Sequence, residues 1–183
     1  MANNCYNYID IKGNAEDIKS LSELLKKDES RGQDSGYDIY MNLIHVFGDF
    51  GNDAKWLDIY VHNETETSLT ITGDSAWCPC LELFTAISKK FPSLVIRYEY
   101  EEMGCDFSGW ADIENGECTD HCFDYWEGQL EMRGEDDMME GILGNEIACY
   151  ETEEELREAG FFNLVSAESQ AEILEAFNEQ VNQ

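Results

Sequence analysis

Basic residues are scarce in this chain. Eleven Lys and Arg stand against 40 Asp and Glu, and the formal net charge is −29 over 183 residues. Such a surface repels nucleic acid and anionic membranes and attracts basic protein surfaces. Stacking bases on a sheet needs exposed aromatics with basic neighbours. The acids dilute the few cations here, so direct nucleic-acid binding is not expected. Long apolar runs are missing too, and none approaches the roughly 18–20 residues of a membrane span. No basic segment followed by an apolar one opens the sequence, so no secretory signal is expected and cytoplasmic residence follows. Histidine occurs only at His45, His62 and His121, and spacing supports no Ser-His-Asp or Cys-His arrangement. A phosphate-cradling glycine loop and the Asp-x-Asp-x-Asp-Gly calcium loop are both absent. These absences leave no catalytic residue to name and no cofactor to expect.

What is present argues for a folded protein: 43% of residues are hydrophobic and 12% aromatic, unlike a disordered acidic tail. Trp56, Trp77, Trp110 and Trp126 are expected to pack in the core or a hairpin. Seven cysteines, an odd number in a cytoplasmic chain, read as reduced thiols rather than a disulfide framework.

The two prolines, Pro79 and Pro92, bracket the clearest element. Pro79 suits the first turn of a helix, and Pro92 stops it. Between them Cys80, Leu83, Phe84, Ile87 and Phe91 form one apolar helical face. From Leu94 the period changes to two: Leu94, Ile96, Tyr98 and Tyr100 face one way and Val95, Arg97, Glu99 and Glu101 the other. Before this lie a strand over Cys5–Ile11 and a helix carrying Ile18, Leu21, Leu24 and Leu25 that runs out in Lys26-Lys27. Asp28–Gly36 reads as a loop, and Tyr37–Phe50 is ambiguous between helix and strand. A strand follows with Leu57, Ile59 and Val61, then an antiparallel partner at Leu69 and Ile71. The order strand, helix, strand, strand, helix, strand predicts an α+β, ferredoxin-like βαββαβ fold, an antiparallel sheet with two helices on one face. Phe107–Ile113, Asn115-Gly116 and Glu117–Trp126 predict an added β-hairpin. Thr152-Glu153-Glu154-Glu155 is a capping box for a short helix. Ser166 caps a last helix with Gln170, Ile173, Leu174, Phe177 and Val181 on one face. Two regions are expected within one globular unit. Residues 1–116 form the ferredoxin-like core. Residues 117–183 form an acidic extension of hairpin strand, loop and two helices.

Several segments together resemble the Api-ninety-two-like family, a ferredoxin-like domain of phage and plasmid proteins. They are Cys5, Asn7 and Ile11-Lys12-Gly13; Lys55-Trp56-Leu57-Asp58; Ser75-Ala76-Trp77-Cys78-Pro79; Ser88-Lys89-Lys90-Phe91-Pro92; and Tyr98 to Glu102 with Gly104, Phe107 and Gly109. The resemblance covers about residues 1–116. It implies the fold and a mobile-element origin, and it transfers no catalytic residue.

Two further constellations carry chemistry. Cys118, His121 and Cys122 are weak candidates for a metal, since thiolate and imidazole suit zinc. They keep a zinc-binding or enzymatic protein open as an alternative, beside a neutral regulatory or scaffold module. The acids form the second. From Glu99 to Glu158 there are 21 Asp and Glu against Arg133 and Arg157. Glu117, Asp120, Asp124, Glu127, Glu131, Glu135, Asp136, Asp137, Glu140, Glu153 and Glu154 are the candidate partner-binding residues, with Glu135-Asp136-Asp137 expected in a solvated loop. Duplex DNA carries about one charge per 1.7 Å of axis, so twenty carboxylates match roughly ten base pairs. The expectation is a non-enzymatic protein that binds a basic host protein through its acidic half. It would act as a DNA-mimic inhibitor of a host defence nuclease or DNA-binding protein.

Overall fold

The computed structural model describes residues 3–25, 42–48, 50 and 57–181. The helix end at Lys26-Lys27, the loop at Asp28–Gly36 and the Lys55-Trp56 pair lie outside them. The chain divides into two compact units, Met1–Cys122 and Phe123–Gln183.

The first unit is built on six strands: β1 (Asn4–Lys12), β2 (Asp58–Glu64), β3 (Ser68–Ala76), β4 (Val95–Glu102), β5 (Phe107–Glu114) and β6 (Glu117–Phe123). Their order in the sheet is β2-β3-β1-β4-β5-β6. The β1–β3, β1–β4, β2–β3 and β4–β5 pairs are all antiparallel. Strands β2-β3-β1-β4 reproduce the ferredoxin-like arrangement, and the β5–β6 hairpin extends it beyond β4. That hairpin turns on Asn115 (φ 54°) and Gly116 (φ 79°). Two successive positive φ values match the right-handed twist of the strands, and only Asn and Gly adopt them readily.

Helix α1 (Ala15–Leu24) starts where the Asn14 side chain accepts from the Asp17 N–H at 2.8 Å. Residues 42–47 are helical as well (α2), which resolves part of the ambiguous stretch. Helix α3 (Leu81–Lys90) carries Lys89 and Lys90 in its last turn, where cations oppose the helix dipole. Ile18 and Leu21 of α1, Leu43 of α2 and Leu83, Phe84 and Ile87 of α3 join one core with the alternate residues Ile9, Ile11, Ile71, Ile96 and Tyr98 of the strands. That core lies on one face of the sheet. The other face contributes nothing to it: Tyr60 is 48% exposed there and Val95 51%.

The second unit is helical. It comprises α4 (Tyr125–Gly144), a single 3-10 turn at Glu146–Cys149, α5 (Glu153–Glu158) and α6 (Ala167–Val181). They enclose a separate core of Met138, Met139, Ile142, Leu156, Phe161, Phe162, Ile173 and Phe177, against which Trp126 packs. The expected capping box is present at Thr152 and Glu155. Ser166 accepts from the Ser169 N–H at the start of α6. Four sequence expectations need correction. The strand expected over Glu117–Trp126 ends at Phe123, and Tyr125 and Trp126 open α4. Glu135-Asp136-Asp137 is not a solvated loop but the first turn after a kink in α4, where Gly134 takes φ 82°, ψ 171° and separates two helical halves. Carboxylates favour that position because it follows a break and meets exposed N–H groups. Val181 does not share the buried face of α6; it is 60% exposed. Trp77 is half exposed rather than packed. Among the described residues no helix is long and apolar enough to cross a membrane.

Candidate functional site

Residues Phe123–Gln183 hold seventeen Asp and Glu against Arg133 and Arg157. The helices sort them by periodicity. Apolar side chains at Met138, Ile142, Ile173 and Phe177 turn inward, and most of the acids fall on the opposite, solvent-facing positions. Asp124, Glu127, Glu131, Asp136, Asp137, Glu140, Glu153 and Glu154 are all exposed. Arg157 is committed within the unit: its Nη2 lies 2.6 Å from Glu153 in an i,i+4 pair, and its guanidinium lies over the Phe162 ring at 5.4 Å.

Two candidate carboxylates do structural work. Glu135 is half-buried and its Oε1 accepts from the Ser166 N–H at 2.8 Å and from the Ser169 hydroxyl at 2.6 Å. It therefore ties the kink of α4 to the start of α6. These bonds, the Ser169 hydroxyl first, hold the Glu135 carboxyl below the ordinary glutamate range. A depressed carboxyl contributes stability that is present above the unfolded-state value and fades as pH falls through the folded one. Glu135→Gln should therefore flatten the acid side of the stability profile. Thermal unfolding measured as a function of pH checks this, and an unchanged profile contradicts it. Asp120, on β6, accepts from the Tyr100 hydroxyl at 2.5 Å. Burial first, then Asp120, raises the Tyr100 phenol above its ordinary value.

The structure separates the zinc candidates. Side chains alternate along a strand at about 3.3 Å per residue, so Cys118 and Cys122 share a face about 13 Å apart and His121 points the other way. His121 stacks on Trp110 with ring centroids 5.0 Å apart. Burial, its largest influence, pushes the Cys118 thiol up. Zinc needs three or four donors at bonding distance around one point. Among the described residues no group of three or more His, Cys, Asp and Glu stands close enough to hold a metal ion. Protein purified with zinc present should retain less than one-tenth of an equivalent by elemental analysis. A stoichiometric zinc that disappears in Cys118→Ser overturns this.

Sequence reasoning missed a polar cluster under the Ser75–Pro79 turn. Asn7 is fully buried on the core face of β1. Its Nδ2 donates to the Cys5 carbonyl (2.9 Å) and Ser75 Oγ (3.0 Å). Its Oδ1 accepts from the Tyr98 hydroxyl at 2.9 Å. That hydroxyl accepts in turn from the Cys80 N–H at 3.0 Å, and Ser75 Oγ donates to the Cys78 carbonyl at 2.7 Å. Between them Trp77 takes a left-handed backbone (φ 73°), uncommon for a bulky residue. Its N–H donates to the Asn3 carbonyl. The most specific element of the family resemblance is thus a buried scaffold joining β1, β3, β4 and the start of α3. A polar residue in the buried phase of β1 was the signal that could have revealed it.

Residues 55–143 match the family model described as the ferredoxin-like domain in Api92-like protein. The match bears out the Api-ninety-two-like resemblance for the segments from Lys55 onward and extends it to residue 143. An Escherichia coli (strain K12) protein described as "Uncharacterized protein YubB" is 28% identical over 90 residues, covering 49% of this chain and 58% of that protein. The chain therefore matches less than two thirds of that relative's length. No solved structure matches.

Proposed function

We propose that this chain, which carries the ferredoxin-like domain of Api92-like proteins over residues 55–143, acts by binding rather than by catalysis. Its acidic C-terminal half docks on a basic surface of another protein. The observation that carries this is the separation of charge in Phe123–Gln183. Apolar residues fill a core of their own while seven of the eleven candidate carboxylates stand exposed on the helices and Asp124 stands exposed just before α4. Seventeen carboxylates match the phosphate charge of about 29 Å of duplex, or roughly nine base pairs. A basic groove built for DNA is therefore the partner class, and the mobile-element origin implied by the family points to a host nuclease or DNA-binding protein. Occupying that groove would inhibit it.

The test uses the immobilised full chain in host lysate at low and high salt, with duplex DNA as competitor. Exposed single charges contribute only about 0–1 kcal/mol each, so no single residue should carry the interaction. Reversing Asp136, Asp137 and Glu140 together to Lys should weaken capture at least tenfold and leave Glu135 in its structural role. Reversing Glu16, Glu64 and Glu66, exposed positions of the first unit, should change it less than threefold. Steering between charges weakens as salt rises. Capture that ignores salt, survives the Asp136-Asp137-Glu140 reversal and leaves the partner's DNA bound refutes the proposal.

A further inference from the structure

The face of the sheet opposite α1 and α3 has its own order, set by register. Tyr60 pairs with Thr72, Thr72 with Tyr8, Tyr8 with Glu99 and Glu99 with Trp110. His121 completes the row by stacking on Trp110. An aromatic row thus crosses the sheet. In the neighbouring row Asp58 stands directly opposite Asp74. Like charges placed opposite each other destabilise a sheet, so folding alone does not favour this pair. Neither Asp58 nor Asp74 has an ion-pair partner among the described residues.

The sheet displays one cation in such surroundings already. The Arg97 guanidinium lies 4.5 Å from the Trp110 ring centroid. Its nitrogens reach Glu99 at 3.6 Å and Asp112 at 3.1 Å. A planar cation over an aromatic face, held at its edges by carboxylates, is a favourable combination. Tyr60, Tyr8, Asp58 and Asp74 offer the same rings and carboxylates with no cation bound to them among the described residues. Thr72 lies between the two tyrosines in the row. It is 5% exposed and its hydroxyl has no hydrogen-bond partner among the described residues. A buried hydroxyl left unpaired costs stability unless something satisfies it. Burial, and then Asp58, raises the Asp74 carboxyl, as expected for a carboxylate lacking a counter-charge.

We propose that this sheet face, centred on Tyr60, Thr72, Tyr8, Asp58 and Asp74, is a second binding surface that takes an arginine-bearing extended segment of a protein. Charge complementarity selects this occupant. Phosphates are repelled by the carboxylates, and among the described residues a metal ion lacks the third donor. A guanidinium finds two carboxylates to bridge and tyrosine rings to stack on. The surface involves no residue of Phe123–Gln183, so it stands or falls separately from the acidic helices.

The test is a titration of isotope-labelled full chain with a peptide of six arginines alternating with glycine, followed by backbone amide signals. Signals of Asp58, Tyr60, Thr72, Asp74 and Tyr8 should shift and saturate, and they should still do so after Asp136, Asp137 and Glu140 are reversed to Lys. Asp58→Asn with Asp74→Asn should raise the Kd at this face at least tenfold. The melting temperature should stay equal or rise, because a like-charge pair is gone. Tyr60→Ser, at an exposed edge position, should raise the Kd similarly without touching charge. Shifts confined to residues 123–181, a Kd unmoved by either variant, or equal shifts of the same signals with oligouridine overturn the proposal.

Discussion

Leu83→Ala lowers the unfolding free energy by about 2–5 kcal/mol, the usual range for a buried leucine truncated to alanine. Leu83 is fully buried on α3, beside Phe84 and Ile87, in the core shared with the strands. Phe84 and Tyr98 of the same core stack edge-on at 5.0 Å, and a close-packed core collapses only partly around a void. Unlike an exposed substitution, the change removes contact area and leaves a cavity, and both terms act in the same direction. Urea unfolding measures it. A loss below about 1 kcal/mol, typical of surface changes, would place Leu83 outside the core.

Asn7→Ala comes next, at about 2–4 kcal/mol. The cost is not the loss of one bond. It leaves the Tyr98 hydroxyl without its acceptor and the Cys5 carbonyl without this donor. Buried groups left unpaired lose their hydration without recompense. Tyr98→Phe removes only the hydroxyl and should cost about 1–3 kcal/mol. Because the two side chains share a hydrogen bond, the double variant should cost less than the sum of the singles. Strict additivity in a denaturant-unfolding cycle would show that the network is not a unit.

The first unit was legible because its elements repeat their signals. Period two from Leu94, the Asn115-Gly116 turn and the apolar stripe from Cys80 to Phe91 each point to one local structure, and these agree with the sheet observed. Helix α4 was not legible. Gly128, Gly134, Gly141 and Gly144 interrupt it, and its acids look like loop residues when taken one by one. Tertiary burial of Met138, Met139 and Ile142 decides for the helix, and a weak local preference yields to packing. The candidate site was legible as charge but not as roles. Sequence showed that Glu135 is acidic; only the fold shows it holding Ser166 and Ser169. The same holds for Asn7: in the sequence it is one position of the family resemblance, and only the fold shows its bonds to Cys5, Ser75 and Tyr98. His121 and Cys118 looked like neighbours in sequence, and strand alternation sets them on opposite faces.

Among the described strands β2 and β6 are the outermost, and the outer edge of a border strand presents a row of backbone donors and acceptors. Such a row is a template for another strand, and proteins guard it with charge and irregularity. β2 carries Asp58 and Glu64 and breaks its register between Val61 and Asn63. β6 carries Glu117 and Asp120. A second copy approaching either border meets like charge before it meets a hydrogen bond. The acidity is then also a colloidal device that keeps identical chains apart at high concentration. It weakens as salt screens the carboxylates or acid protonates them, and the border strands are where self-association would begin.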